Sequence, residues 1–278
     1  MSIAEQSETI IQPDFSAIKF KQQAIWASGN YAIVGCTVQI TGENLCEAMN
    51  LHSGESVLDV AAGNGNASLA AARRFCHVVS TDYVPALLEK AELRASADGL
   101  AIDFQTADAE KLPFDNESFD NVISTFGVMF APNQKCCTQE LVRVCRSGGK
   151  IGMANWTPTS FIGQLFKIIG KYVTPPLGVA SPANWGNEAF IQEHFAGEAS
   201  EIEITRKSFM FRYLSADHWV DIFRTYYGPI LKVFEMLNKE QRSALTKEIM
   251  ELINNHNESG DDTMVVRSEY LEIVIVKK

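Results

Sequence analysis

From residue 51 onward, short apolar runs alternate with amphipathic ones. Val57-Leu58-Asp59-Val60 is a compact apolar run, followed by a Gly/Asn turn and an Ala-rich helical stretch over residues 67–75. Residues 77–81 predict a second strand. Residues 84–97 predict a helix, with Leu87, Leu88, Ala91 and Ala95 at helical spacing. Short strands follow at 102–105 and 119–125, then a helix at 138–146, a turn at Ser147-Gly148-Gly149 and a fifth strand at 150–155. Strands alternating with helices predict an α/β, doubly wound and mostly parallel sheet with both faces covered. After Trp156 the alternation breaks. Residues 157–185 carry Pro158, Pro175, Pro176 and Pro182, 187–195 read as a helix, and 201–213 contain a strand. Residues 215–256 read as helical, with Leu245, Ile249, Leu252 and Ile253 forming one apolar stripe. A β-branched run at 270–276 supplies a seventh strand. Ahead of the sheet, 1–15 reads as a tail and 16–50 as helices that turn at Ser28-Gly29-Asn30. The division expected is therefore a tail and helical cap (1–50), a ligand-binding core (51–156), and helical lid insertions with C-terminal strands that complete the sheet (157–278).

Composition narrows the partners. The chain has 278 residues, 46% of them hydrophobic, and a formal net charge of −10. Its densest basic groupings are Arg73-Arg74 and Lys277-Lys278. Phosphate neutralisation carries much of nucleic-acid affinity, so a small molecule is the expected partner and nucleic acid is not. The six cysteines include no C-x-x-C and no zinc spacing, so they read as reduced side chains and no metal is expected. Glu5, Glu8 and Asp14 spoil a signal-peptide layout. The most apolar helical stretch, 161–172, is broken by Gln164, Lys167, Gly170 and Lys171, so no membrane span is expected. The expected location is the cytoplasm; the oligomeric state stays open between monomer and homodimer.

The chemistry concentrates after the strands. Asp59-x-x-x-Gly63-x-Gly65 closes the first strand, and glycines there let the backbone approach a ligand with no Cβ in the way. A parallel sheet places its ligand outside the carboxyl ends of its strands. A dinucleotide fingerprint would need a third glycine where Ser68 stands. A carboxylate at Asp59 would repel a pyrophosphate and attract an ammonium, or simply stabilise the turn. Asp82 ends the second strand, 19 residues after Gly63, where a carboxylate can accept from both hydroxyls of a ribose. The plain alternative for Asp82 is a helix cap. Tyr83 can cover a planar ring. Asp108, with the Ala109 backbone beside it, is placed to accept from an exocyclic amine, and Leu112, Pro113 and Phe114 offer an apolar wall.

The stretches "VLDVAAGNG", "STDYVPALLEKA", "ADAEKLPFDNESFD" and "ELVRVCRSGGKIGMANW" together resemble the cofactor core of class I S-adenosylmethionine-dependent methyltransferases. The resemblance covers about residues 51–156 and is closest to the branch that holds the ubiquinone and menaquinone C-methyltransferases. It implies a Rossmann-like seven-stranded sheet and S-adenosylmethionine as cofactor. It also implies methyl transfer to an O, N or C atom of a small molecule, leaving S-adenosylhomocysteine. Gly63, Gly65, Asp82 and Asp108 map onto the family's glycine loop, ribose acid and adenine acid. Two positions depart from its pattern: Ala61 stands where the first glycine is usual, and Ser147 where a proline often precedes two glycines. The resemblance also implies that "STFGVMFAPNQ" faces cofactor and substrate, which makes Phe126, Met129 and Phe130 lining candidates, and that Tyr31 closes over the cofactor. No base motif stands out; His194, His218, Tyr226 and Tyr227 are the candidates. Trp156 and Trp185 flank the Pro-rich insertion and suit either an apolar substrate or the core. Two other functions remain open on the residues alone: a nicotinamide-dependent oxidoreductase, and a non-catalytic binding or regulatory protein of the same fold.

Overall fold

The computed structural model describes residues 13–278. Most of the expected 1–15 tail lies outside them, and the first helix already begins at Phe15. Helices α1 (Phe15–Trp26), α2 (Tyr31–Gly35) and α3 (Gln39–Ala48) precede the sheet. The alternating part runs β1 (Ser56–Val60), α4 (Asn66–Ala72), β2 (His77–Asp82), α5 (Pro85–Asp98), β3 (Asp103–Thr106), β4 (Phe119–Thr125), α6 (Gln134–Val144) and β5 (Cys145–Trp156). The remainder is α7 (Phe161–Tyr172), α8 (Glu188–Phe195), β6 (Ala199–Tyr213), α9 (Ala216–Tyr226), α10 (Gly228–Met236), α11 (Lys239–His256) and β7 (Met264–Lys277).

The seven strands form one sheet in the order β3-β2-β1-β4-β5-β7-β6. The first five are parallel, and β7 runs antiparallel between β5 and β6. Central strands such as β1 are buried on both faces, as a sheet covered by helices on each side requires. The strand order reverses at the β1/β4 boundary, which opens a crevice at the carboxyl ends of those strands. On one face α7, α9 and α11 pack over β6 and β7. Trp219 stacks on Phe223 at 3.9 Å there, and the Leu245, Ile249, Leu252, Ile253 stripe is buried.

Three local differences from the sequence pattern have identifiable causes. The helix expected to reach Phe75 stops at Ala72. Phe75 adopts φ 60°, so that its N–H bonds the Ala72 carbonyl and the Cys76 N–H bonds the Ala71 carbonyl, the paired contacts of a Schellman stop. Helix α6 begins at Gln134 because the Asn133 side chain caps the Cys136 N–H. Ser147-Gly148-Gly149 is not a turn between elements but a bulge inside β5, with Gly148 at φ 74° and the pairing with β4 shifting register beside it. A Cβ on Gly149 would lie 2.5 Å from the Asp120 carbonyl oxygen.

Candidate active site

The crevice holds a cavity of about 1140 Å³, part of it open to solvent. Its floor is the turn after β1. Ala61 sits there at φ 53°, a conformation that strains any residue with a Cβ, and it is packed so tightly on Gly127 that a Cβ on Gly127 would collide with the Ala61 carbonyl oxygen. Ala61 therefore occupies the family's first glycine position by leaning on a glycine supplied after β4. Gly63, at φ 57°, donates its N–H to Asp82 Oδ2 at 2.9 Å, and Val84 donates to Oδ1 at 2.8 Å. Asp82 is thus both a loop brace and a carboxylate at the cavity wall. Burial pushes it up to about 6, against the opposing pull of those backbone N–H groups.

Asp59 lies beneath the turn, fully buried. Its Oδ2 accepts from Ser68 Oγ at 2.5 Å, Ser80 Oγ stands 2.8 Å from the same serine, and Oδ1 has no partner among the described residues. Burial pushes Asp59 up to about 7, with the Ser68 hydrogen bonds holding it back and the Asp82 charge adding to the rise.

Over β2 and β3 the cavity is ionic. Asp108 Oδ2 accepts from Lys19 Nζ at 2.5 Å, and Glu110 Oε2 accepts from the same ammonium at 2.8 Å. Glu110 also takes the Asn133 N–H at 2.6 Å. Lys19 arrives on α1, which buries no residue of its own and is tied down by side chains: Lys19, Gln23 to the Tyr83 carbonyl, and Gln22 to the Phe130 carbonyl at 3.4 Å.

Over β4, β5 and β6 the cavity is aromatic. Phe126, itself at φ 58°, stacks on Trp156 with centroids 4.1 Å apart and planes 5° from parallel. Trp156 neighbours Phe211 at 5.8 Å, Phe211 neighbours Phe223 at 6.4 Å, and Phe223 neighbours Tyr227 at 5.5 Å. The belt continues through Trp26 and Phe130 to Phe166 on α7, in steps of 5.4, 4.9 and 5.8 Å. All eight rings line the cavity.

Of the residues singled out from sequence, Tyr31, Ala61, Gly63, Asp82, Tyr83, Asp108, Ala109, Phe126, Phe130, Trp156 and Tyr227 line this space. The others sit elsewhere. Gly65 heads α4, where a Cβ would meet Ala91 and Leu69 at 2.9 Å, so it lets two helices pack. Met129 is a fully buried residue of the 3-10 turn after β4. Trp185 is fully buried against Phe190, 5.2 Å away. His218 lies in the first turn of α9, its Nδ1 accepting from the Leu214 N–H at 3.3 Å, and His194 stacks on Phe190 at 4.0 Å. Tyr226 offers only its backbone, accepting from the Asn30 N–H at 3.0 Å. Leu112 and Phe114 pack inward, Phe114 on Phe119 at 5.0 Å, so the apolar cover near Asp108 comes instead from Leu87 and Ala107. Sequence reasoning missed Lys19, Trp26, Glu110, Phe166, Phe211 and Phe223. Glu110 was within reach, two residues after Asp108, and Trp26 flanks the Ser28-Gly29-Asn30 turn; the rest converge only through long-range packing.

Comparison with known proteins matches this geometry. A methyltransferase domain model covers residues 58–153. Two uncharacterized proteins of Mycobacterium tuberculosis resemble nearly the whole chain: one is 38% identical over 252 residues (89% of this chain, 90% of that protein), the other 36% identical over 262 residues (92% and 94%). A demethylmenaquinone methyltransferase of Clavibacter sepedonicus is 35% identical over 127 residues, 45% of this chain and 51% of its own. The chain belongs to the class I S-adenosylmethionine-dependent methyltransferases. Solved structures agree on the fold of this methyltransferase. The YcgJ protein from Bacillus subtilis superposes with TM-score 0.59 at 18% identity, covering 86% of this chain and 98% of its own. Phosphoethanolamine N-methyltransferase 2 of Haemonchus contortus, solved with S-adenosylmethionine, gives 0.53 at 16% identity, covering 85% and 52%.

The methyltransferase's cofactor is S-adenosylmethionine, and the residue set suits it. Asp82, Asp108 and Glu110 face the cavity with Asp59 below, while Lys19 is the one cation lining it among the described residues. That balance favours a sulfonium and an ammonium and opposes a pyrophosphate, so the nicotinamide alternative drops out. Among the described residues no helix is long and apolar enough to cross a membrane.

Proposed function

We propose that this methyltransferase transfers the cofactor's methyl group to a neutral, largely apolar small molecule held in the aromatic half of the cavity. The observation that carries this reading is the division of polarity along one rim: carboxylates over β2 and β3, eight aromatic rings over β4, β5 and β6.

When bound, S-adenosylmethionine supplies an already activated methyl group. The chain's own task is then placement. Asp82 accepts from the ribose hydroxyls beside the Gly63 backbone, and Asp108 orients the adenine through its amine. The belt removes water from an apolar acceptor at roughly 25 cal/mol per Å² of surface buried, and ring faces favour a nearby cation. Holding two reactants in line in this way is worth several kcal/mol of barrier. Helices α7 and α9, part of the lid-like region 157–278, carry Ile162, Leu165, Phe166 and Phe223 into the acceptor end, so the lid contributes specificity. The six free cysteines, four of them buried, fit a reducing cytoplasm.

The test is to incubate the enzyme with methyl-labelled S-adenosylmethionine and a cell extract split into lipophilic and water-soluble fractions. Label is expected in the lipophilic fraction. Label only in the water-soluble fraction contradicts the acceptor class. Cofactor binding with no transfer to either fraction favours a binding protein over an enzyme.

A further inference from the structure

One arginine grips the glycine loop without lining the cavity. Arg94 is a half-buried residue of α5, and its guanidinium donates to three neutral acceptors. Nη1 reaches the Asn64 carbonyl at 2.6 Å and Asn66 Oδ1 at 2.8 Å, and Nη2 reaches Gln39 Oε1 at 3.0 Å. Arg73 and Arg74, by contrast, pair with Glu43, Glu47 and Asp98. Burial pulls the Arg94 pKa below its usual range, and a charge so placed needs its N–H groups filled.

The Asn64 carbonyl is one end of the peptide that joins Asn64 to Gly65. The Gly65 N–H at its other end bonds the Ala62 carbonyl at 2.9 Å. Arg94 therefore pins this peptide from one side while the loop holds it from the other. Glycines flank the pin, Gly63 at φ 57° and Gly65 at φ 80°, so the peptide plane between them can turn over at little steric cost. A flipped peptide would lose both bonds, and with them the turn that sets the Gly63 N–H on Asp82. The same cluster reaches the N-terminal helices. Gln39 opens α3, and Asn66 donates from Nδ2 to the Gly35 carbonyl at the end of α2, 2.7 Å away. A Cβ on Gly35 would collide with the Asn64 side chain and come within 2.9 Å of the Tyr31 ring, which itself lies 3.3 Å from the Cβ position of Gly63. Loop and helical cap thus meet with no slack, and Arg94 joins them.

We propose that Arg94 is a positioning residue for cofactor binding: it fixes the Asn64–Gly65 peptide and ties the turn to α2 and α3, so that Gly63 and Asp82 meet the cofactor already set. It lies off the cavity wall and acts through the loop. Its effect is to keep the loop in the binding-competent form, and affinity scales with the fraction of molecules in that form. A loop ordered in advance spares the ligand the cost of ordering it.

The test compares the full-length wild type, Arg94→Ala and Arg94→Lys by calorimetric titration with S-adenosylhomocysteine and by amide exchange. Arg94→Ala is expected to bind about tenfold more weakly, as when the competent loop falls to about a tenth of the molecules. Ethylguanidinium replaces the atoms that the truncation removes. At millimolar concentration it should restore most of the lost affinity, whereas ethylammonium, which has no planar fork, should not. Arg94→Lys keeps the charge and the stem but cannot span the three acceptors, and should lose affinity severalfold. Exchange of the Gly65 N–H should quicken in both variants while β1 stays unchanged. Wild-type affinity in both variants overturns the proposal. So does a loss that ethylguanidinium leaves unrestored, or one accompanied by faster exchange throughout the chain, since a general packing role gives those results. If Arg94→Ala does not fold, Arg94→Lys decides alone: weaker binding with quicker exchange confined to the loop supports the proposal, and wild-type affinity or chain-wide exchange overturns it.

Discussion

Replacing Asp82 by asparagine should separate what this carboxylate does for the fold from what it does for the ligand. Asp82 is 4% exposed, and burial lifts it from its ordinary 3.8 to about 6. Because its folded pKa is raised, the folded chain holds this proton more tightly than the unfolded chain. The contribution is therefore most favourable below pH ~4 and is lost as pH rises toward 6, a displacement worth about 3 kcal/mol at neutral pH. The amide of Asp82→Asn would carry no charge and escape that penalty. It would offer one oxygen to the two N–H donors of Gly63 and Val84, leaving one unsatisfied at about 1–3 kcal/mol. The two terms nearly cancel, so urea unfolding at pH 7.5 should place the variant within about 2 kcal/mol of wild type. Binding should behave differently. Charge-assisted hydrogen bonds to ribose hydroxyls are worth about 1.5–3 kcal/mol each. Calorimetric titration with S-adenosylhomocysteine should therefore show affinity falling roughly 30- to 700-fold, or about 2–4 kcal/mol. Wild-type affinity should itself rise as pH is raised through about 6, where Asp82 ionises. A variant that binds with wild-type affinity, or one that binds weakly only because it is largely unfolded, would refute the assignment.

Other substitutions probe the frame around the site. Phe75→Gly should raise stability by about 1 kcal/mol in denaturant unfolding, since Phe75 is 78% exposed and held at φ 60° where glycine is at ease; a loss of stability would mean the Schellman reading is wrong. Lys19→Met should speed amide exchange over α1 by about tenfold or more while leaving β1 unchanged, because it unties the helix from Asp108 and Glu110; unchanged exchange in α1 counts against the latch. Gly127→Ala should destabilise by more than about 3 kcal/mol, because its Cβ would press on the Ala61 carbonyl oxygen, and pairing it with Ala61→Gly should not rescue a clash that involves backbone. Near-normal melting of the single variant would show that the turn yields more easily than the packing implies.

Much of this architecture can be read in one dimension because local chemistry and global fold agree. Val57 to Val60 is buried on both faces, and the alternation around it leaves a parallel sheet as its consistent solution. Gly63, Asp82 and Asp108 are legible as a set because each follows a strand, and parallel strands bring their carboxyl ends to one rim. The acceptor half is not legible in that way. Phe211 and Phe223 are inward residues of a strand and a helix, with the same pattern as core, and only the closing of the sheet by β7 carries them to the rim. Lys19 sits on a helix with no buried residue, so periodicity assigns it to solvent; its role exists only once α1 docks on the loop after β3. Met129 and Trp185 show the converse: an aromatic or a methionine near a site is as readily core, and only whether its side chain reaches the cavity wall separates the two. Ser147-Gly148-Gly149 carries turn chemistry, yet the strand absorbs it as a bulge because β4 and β5 continue to pair on both sides.

The central claim is that one rim of the sheet holds an adenosine by its acids and an acceptor by its rings. A crystal structure of the full chain with S-adenosylhomocysteine tests it most directly. The account predicts both ribose hydroxyls within hydrogen-bonding distance of the Asp82 carboxylate, the adenine amine turned toward Asp108, and the sulfur pointing at the aromatic half of the cavity. Ligand density elsewhere, or a ribose that makes no contact with Asp82, would contradict it.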